Sequence, residues 1–427
     1  MQESGSKNIS GGSKNSPGSP KNPLEHKKNV SAIVIVAALG YFVDIYDLIL
    51  FSIVRISSLK SLGVTGDALL SDGVMLLNMQ MAGMLIGGIL WGILGDKKGR
   101  ISVLFGSIIM YSVANILNGF VMDVQQYAIL RVIAGIGLAG ELGAGITLVS
   151  EVMSKESRGY GTTIVASVGI LGAVVAAFVA DIFDWRTAYF VGGGLGLLLL
   201  FLRIGVYESG MFKNIKKDEI GRGQFQHLFT NWARFKKYVK CILIGAPLWF
   251  VVGVLITFSD AFAKALGVEG IAPAKSVMFT YIGLAFGDLL SGYLSQYFKS
   301  RKKIIFAFIL STNILIVIYL FFNSFGSFYF YSICLLLGVS CGYWAVFVTN
   351  ASEQFGTNLR ATVTTTVPNF VRGAVVPLTL LFQYLKGPTG IIYSAAIVAG
   401  IALLLAYISA SKLEETYGKD LDYIEMI

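Results

Sequence analysis

Residues 73–100 read GVMLLNMQMAGMLIGGILWGILGDKKGR, and this stretch decides the fold class. Residues 73–94 carry no charge, and the turn that follows contains Asp96 and Arg100. A helix rises about 1.5 Å per residue, so an uncharged segment of this length crosses a hydrocarbon core of roughly 30 Å. The stretch therefore predicts a transmembrane helix that ends in a charged turn at the membrane surface.

The rest of the chain repeats this pattern. Hydrophobic residues make up 55% of the sequence, charged residues 14%, and the mean hydropathy is +0.70. A soluble protein of 427 residues could not cover its surface with so few charges. We therefore predict an all-α membrane protein with twelve spans, near residues 31–54, 73–94, 101–122, 125–149, 159–180, 187–207, 241–259, 276–298, 304–322, 326–349, 361–385 and 389–411.

The distribution of Lys and Arg predicts the orientation. Of the 34 basic residues, about 26 fall on the side of the N-terminus and about six on the other side. Both termini and the central loop are therefore predicted to be cytoplasmic, in a multi-pass plasma membrane such as the bacterial inner membrane. The predicted organisation is a disordered tail at 1–29, a six-helix bundle at 30–207, a loop at 208–240, a second six-helix bundle at 241–411 and a tail at 412–427.

The two halves are related in sequence at an offset of about 200 residues. Gly87 and Gly92 in span two match Gly287 and Gly292 in span eight. A longer series in span four and the turn after it matches span ten and its turn: Gly140, Thr147, Ser150, Glu151, Arg158, Thr162, Thr163 and Val165 match Gly342, Thr349, Ser352, Glu353, Arg360, Thr364, Thr365 and Val367. This internal repeat predicts two pseudo-symmetric bundles.

The turn after span two reads Gly92-Ile-Leu-Gly-Asp96-Lys-Lys-Gly99-Arg100. It is similar to the G-x-x-x-D-x-x-G-R signature of the major facilitator superfamily, in which this cluster makes charge contacts that stabilise the outward-open state. The resemblance implies the major facilitator fold and a gating role for the turn. In the second half Gln296 replaces the aspartate, so a full charge relay is expected only in the first half.

Span one carries Asp44-Ile45-Tyr-Asp47, and span four carries Arg131, Glu141 and Glu151, followed by Arg158 in the next turn. These parts of the N-terminal half resemble the metabolite:proton symporters, a branch that includes organic-acid and proline or betaine permeases, although Ile45 stands where that branch has tryptophan. The resemblance implies that Glu151 and Arg158 belong to the gating motif. Sugar porters share several of these features.

Ionisable residues at membrane depth are costly and mark candidate sites. Asp47 and Arg131 lie at similar predicted heights, so we expect a pair that couples protonation of Asp47 to release of Arg131 for an anionic substrate. Asp44 lies three residues before Asp47 and, with Glu141, is a further candidate for proton coupling. A static ion pair is the alternative, and Glu141 could simply hydrogen-bond a neighbouring helix.

In the second half, Arg372 stands at a height similar to that of Asp288. The two could form a structural pair, or Arg372 could bind a substrate carboxylate bidentately. Aromatic and amide side chains at mid-depth are candidate cavity residues, although most such residues only pack between helices. The candidate substrate-binding residues are Arg131, Arg372, Trp249, Tyr281, Tyr343, Trp344, Asn350 and Asn369.

These features favour a secondary transporter, with proton-coupled symport of a small organic anion or zwitterion as the leading hypothesis. Proton-coupled export of an amphipathic compound and a sugar-porter-like uniporter or symporter are the alternatives, and a sensor on the same fold would need a larger signalling domain. No enzyme motif, cofactor or metal is expected, because the chain has two histidines and its three cysteines lack metal-ligand spacing. The expected partners are the substrate, the co-transported ion and the lipid bilayer, with no nucleic acid, and the protein is expected to be a monomer.

Overall fold

The computed structural model describes residues 23–98, 100–153, 158–208, 225–322 and 325–419, and these ranges are almost entirely helical. The helices are α1 Pro23–Ser61, α2 Ala68–Lys98, α3 Arg100–Asn118, α4 Val124–Leu138, α5 Glu141–Val152, α6 Arg158–Ile182, α7 Trp185–Glu208, α8 His227–Thr230, α9 Trp232–Phe250, α10 Ser259–Ala265, α11 Pro273–Tyr297, α12 Arg301–Phe321, α13 Ser327–Cys341, α14 Trp344–Glu353, α15 Thr357–Gly373 and α16 Val375–Lys412. A π-helical segment, Val251–Ile256, joins α9 to α10.

The helices form the predicted twelve spans. Within the described ranges, nine helical stretches are long and apolar enough to cross a membrane. The stretch Thr362–Lys412 has 51 residues, which is enough for two crossings, and Gly390 breaks it with φ 76° and ψ 170°. The shorter apolar helix Ser102–Asn118 and the α4–α5 pair supply the remaining two spans.

Two spans are broken at equivalent places, as expected for an internal repeat. Span four divides into α4 and α5 beside Gly140, and span ten divides into α13 and α14 at Gly342. Close backbone packing is repeated as well, because a Cβ on Gly87 would lie 2.4 Å from the carbonyl oxygen of Ile136, and one on Gly287 2.2 Å from that of Val339. Glycine lets membrane helices approach this closely, so the paired glycines fix the same helix contact in both bundles.

The outer faces of the helices are suited to lipid. Phe178, Phe286 and Leu404 are each more than half exposed, at 56%, 61% and 59%. Many large apolar side chains exposed in this way would favour aggregation in water, whereas a bilayer solvates them.

The helix that contains the predicted seventh span begins before that span. Residues up to 240 are predicted to be loop, whereas α9 starts at Trp232. The side chain of Asn231 accepts hydrogen bonds from the backbone N–H groups of Ala233 at 2.9 Å and Arg234 at 3.4 Å, and so caps the helix. Helix α1 likewise starts at Pro23, inside the predicted tail, while residues 1–22, 209–224 and 420–427 lie outside the described ranges.

The segment after α16 folds back onto the N-terminus of α12. The Glu415 carboxylate accepts hydrogen bonds from the backbone N–H groups of Arg301 at 2.9 Å, Lys302 at 3.1 Å and Tyr417 at 3.0 Å, and from the Ser300 hydroxyl. Burial by itself would raise the pKa of Glu415, but these hydrogen bonds outweigh it and hold the pKa below its usual range. Glu415 is therefore the anion at the positive end of this helix.

Candidate substrate and coupling site

Arg372 of α15 lies at the centre of the candidate site. Its guanidinium carbon is 5.4 Å from the ring centre of Trp249 in α9 and 5.9 Å from that of Trp344 in α14. Its Nη2 is 3.8 Å from Oδ2 of Asp44 in α1, and both side chains are fully buried. Because α1 belongs to the first bundle and α15 to the second, this ion pair joins the two halves.

The polar atoms around Arg372 are poorly satisfied. Among the described residues, neither Asp44 oxygen nor any guanidinium nitrogen of Arg372 has a hydrogen-bond partner, and the indole nitrogens of Trp249 and Trp344 have none. Most buried polar groups in proteins are hydrogen-bonded. Several hydrogen-bond donors and one carboxylate therefore lie close together without hydrogen-bond partners, a set suited to a small anionic ligand.

The expected pair between Arg372 and Asp288 is not formed. Oδ1 of Asp288 accepts a hydrogen bond from the backbone N–H of Ala345 at 3.0 Å, at the start of α14. The break in span ten creates this free helix N-terminus, which attracts a carboxylate. The sequence suggests one continuous span here, so this competing partner was missed.

Arg131 also has partners other than the expected one. Its Nη2 donates to the side-chain oxygen of Gln80, its Nη1 to the hydroxyl of Tyr189 at 3.3 Å, and its guanidinium carbon lies 5.0 Å from the Phe51 ring centre. Asp47 is fully buried, and neither of its oxygens has a hydrogen bond within the described residues. The structure thus contains no Asp47–Arg131 hydrogen bond, and Gln80 and Tyr189, which sequence reasoning missed, take its place.

Glu141 is paired with a residue that was not predicted. Arg203 of α7 donates two hydrogen bonds to its carboxylate, Nη1 to Oε2 at 3.0 Å and Nη2 to Oε1, and both side chains are buried. A Cβ on Gly40 would lie 2.1 Å from atoms of both partners, so α1 packs directly on the pair. This geometry agrees with the structural alternative for Glu141.

Three candidate residues make hydrogen bonds outside the Arg372 cluster, although the buried side-chain oxygen of Asn369 has no partner among the described residues. The Tyr343 hydroxyl donates to the carbonyl of Ile244 at 3.0 Å. The Asn350 side-chain oxygen accepts from the Thr416 hydroxyl at 3.0 Å. The Asn369 amide donates to the carbonyl of Ala139 at 2.8 Å and thereby contacts the break between α4 and α5.

Tyr281, another candidate substrate-binding residue, is buried in α11. The side chains of Asp96, Arg100, Glu151 and Arg158, and all of Gly99, lie outside the described part of the structure.

An ion pair for which the sequence offered no prediction connects α1 to α10. Arg55 of α1 donates to Asp260 of α10 at 2.5 Å and to the carbonyl of Leu69 at 3.0 Å, and it lies 4.8 Å from the Phe258 ring centre. We call the Arg55–Asp260 pair the outer contact, because it lies at the end predicted to face outward. It bridges the two bundles beside the π-helical segment.

The sequence profile of the Major Facilitator Superfamily matches residues 35–378. The chain belongs to this superfamily. The fold agrees with that of a solved relative, the proton:xylose symporter XylE bound to 6-bromo-6-deoxy-D-glucose, with a TM-score of 0.71 at 16% identity, covering 93% of this chain and 98% of that one. The molecule is therefore a membrane transporter of this superfamily.

Relatives in sequence are named as carriers of small metabolites. The putative niacin/nicotinamide transporter NiaP of Bacillus subtilis is 26% identical over 355 residues, covering 79% of this chain and 84% of that protein. The sialic acid transporter NanX of Escherichia coli is 24% identical, covering 92% and 93%. The cis,cis-muconate transport protein of Acinetobacter baylyi is 24% identical, covering 83% and 88%.

Proposed function

We propose that this protein is a monomeric, proton-coupled symporter that takes up a small planar organic carboxylate across a bacterial inner membrane, with both termini cytoplasmic. The observation that carries the proposal is the Asp44–Arg372 ion pair, which joins the two bundles between two tryptophan rings. A guanidinium binds a carboxylate bidentately, and flanking indole rings stack on a planar substrate.

The same pair provides a coupling mechanism. While Asp44 is ionised, it occupies Arg372; when a proton neutralises Asp44, Arg372 becomes free to bind the substrate carboxylate. Proton and anion then enter together, and the buried site keeps its charge balance throughout. This assigns the principal proton to Asp44, and Asp47 remains a second candidate because its buried carboxylate has no hydrogen bond in the described structure.

Two of the relatives are named as transporters of carboxylates. Niacin and cis,cis-muconate, which name two of them, are planar and carry carboxylate groups. Transport of such a compound needs one strong cationic group and apolar walls, and Arg372, Trp249 and Trp344 supply both.

The test is transport by purified protein in liposomes that contain a pH-sensitive dye. A panel of aromatic and unsaturated carboxylates, sugars and amphipathic cations is added outside. We expect carboxylates to drive proton uptake. Proton uptake with a sugar only, or proton efflux coupled to entry of an amphipathic cation, would contradict the proposal and favour the corresponding alternative.

Two variants separate binding from coupling. Asp44→Asn is expected to retain exchange of labelled substrate but to lose accumulation driven by a proton gradient. Arg372→Lys is expected to raise KM by about 10–100-fold, because hydrogen bonds to charged groups contribute about 1.5–3 kcal/mol. Asp181→Asn, at an exposed position in α6, is the control. Unchanged accumulation by Asp44→Asn would refute the assigned proton site.

A further inference from the structure

A cavity of about 610 Å³ lies where α11 ends and α12 begins, remote in sequence from the residues of the candidate site. The segment after α16 closes one of its sides. Its lining residues are Phe298, Lys299, Ser300, Lys302, Lys303, Phe306 and Glu415.

Three lysines line this cavity, and two of them are free to bind an anion. Lys299 and Lys303 are exposed, and in the described structure their ammonium groups have no hydrogen bond or ion pair. The Lys302 ammonium is engaged by the carbonyl oxygens of Ser411 at 2.7 Å and Leu413 at 2.8 Å. Glu415 is the one acidic residue among the lining residues, and its carboxylate accepts hydrogen bonds from the N-terminus of α12, so the three lysines leave the lining with a net positive charge. The ammonium groups of Lys299 and Lys303 are therefore available to bind an anionic ligand.

The cavity is continuous with an exposed aromatic surface on α11. Phe298 is 55% exposed, and its ring centre lies 5.1 Å from that of Tyr297. Tyr297 is 69% exposed and stacks on Tyr293, which is 66% exposed, at 6.3 Å. Aromatic rings at the end of a membrane helix lie at the level of the lipid headgroups. A molecule held by the lysines would thus have an apolar surface beside it on the membrane side.

We propose that this cavity binds the phosphate headgroup of an anionic phospholipid, with an acyl chain lying along Tyr293, Tyr297 and Phe298. Free ammonium groups next to exposed rings match the two parts of such a lipid, whereas a soluble anion would use only the lysines. Glu415 serves as a positioning residue, because its hydrogen bonds to α12 hold the segment that closes the cavity.

The test uses the full-length protein in detergent and native mass spectrometry. Phosphatidylglycerol and phosphatidylcholine are titrated separately, and inorganic phosphate is added in a third series. We expect preferential binding of phosphatidylglycerol, weakening about 30-fold in the double variant Lys299→Gln/Lys303→Gln. The matched control is Lys264→Gln/Lys275→Gln, two exposed lysines near the opposite end of the helices, and it is expected to bind as the wild type does.

Three results would overturn the proposal: equal binding of the two lipids, equal loss in both double variants, or displacement of bound phosphatidylglycerol by inorganic phosphate, which would assign the cavity to a soluble anion. A second measurement needs no variant. Wild-type binding of phosphatidylglycerol should fall as salt increases, since the lysines are exposed and their interactions are screened. Binding that is independent of salt would also contradict the assignment.

Discussion

The outer contact provides a direct test of how the two bundles separate. Asp260→Asn removes the charge that faces Arg55 and leaves the volume of the side chain nearly unchanged. Arg55 is 1% exposed and Asp260 27%, so solvent screens the pair only in part. Loss of a hydrogen-bonded charge costs about 1.5–3 kcal/mol, which we reduce to about 1–2 kcal/mol because Asp260 is partly exposed.

This free energy stabilises only conformations in which α1 and α10 are in contact. Since 1.4 kcal/mol corresponds to a factor of ten, Asp260→Asn should raise the ratio of open to closed molecules at this end by about 5–30-fold. The effect should be seen at Ser52, which is 3% exposed and whose hydroxyl accepts a hydrogen bond from Thr257 at 3.0 Å.

The assay is maleimide labelling of Ser52→Cys, with and without Asp260→Asn, in liposomes. The three native cysteines are buried, and the unmodified chain gives their background rate. We expect labelling to accelerate about 5–30-fold in the Asp260→Asn background, in proportion to the open population. Glu269→Gln, an exposed position in the loop after α10, is the control. An unchanged rate would refute the view that this pair keeps the end closed.

Three further predictions concern stability, each measured as the thermal midpoint of the purified protein. Lys299 has a left-handed backbone with φ 49°, so Lys299→Gly should stabilise the fold by about 0.5–1 kcal/mol, and a lower midpoint would contradict this. Glu415→Gln should destabilise it by about 0.5–1 kcal/mol, a value reduced because the carboxylate is exposed and solvent screens it. Because the folded-state pKa of Glu415 is lowered, the wild type's advantage should be present at neutral pH and lost as pH falls below about 4, and an advantage that persists in acid would count against this role. Gly287→Ala should prevent folding or strongly lower the midpoint, because its Cβ would lie 2.2 Å from a backbone carbonyl oxygen. Gly400→Ala is the control and should be neutral, because a Cβ there would have nothing within 4 Å. Equal midpoints for the two variants would contradict the packing argument.

Much of the fold follows from the sequence alone. Uncharged segments long enough for a bilayer predict the spans, because the bilayer requires every backbone polar group to be satisfied within a helix. The repeated glycines, such as Gly87 and Gly287, predict two related bundles, and the structure places both at equivalent helix contacts. The turn at Asp96 indicates the superfamily.

The candidate site was predicted only in part. Asp44, Arg372, Trp249 and Trp344 were named from the sequence, and the structure brings them together. In the structure Arg372 pairs with Asp44 rather than Asp288, and Arg131 hydrogen-bonds Gln80 and Tyr189 rather than Asp47, since depth along a helix axis does not specify which neighbour a side chain meets.

Rotation about the helix axis and breaks within helices decide the pairings. Asp44 and Asp47 are three residues apart, which turns their side chains about 60° from each other, so one can face the second bundle while the other stays within the first. The break before Trp344 supplies free N–H groups for Asp288 and leaves Arg372 to Asp44. The sequence determined the membrane fold because hydrophobicity and length are properties of each segment alone, whereas the ion pairs depend on how several helices are rotated against one another, and only the tertiary structure decides that.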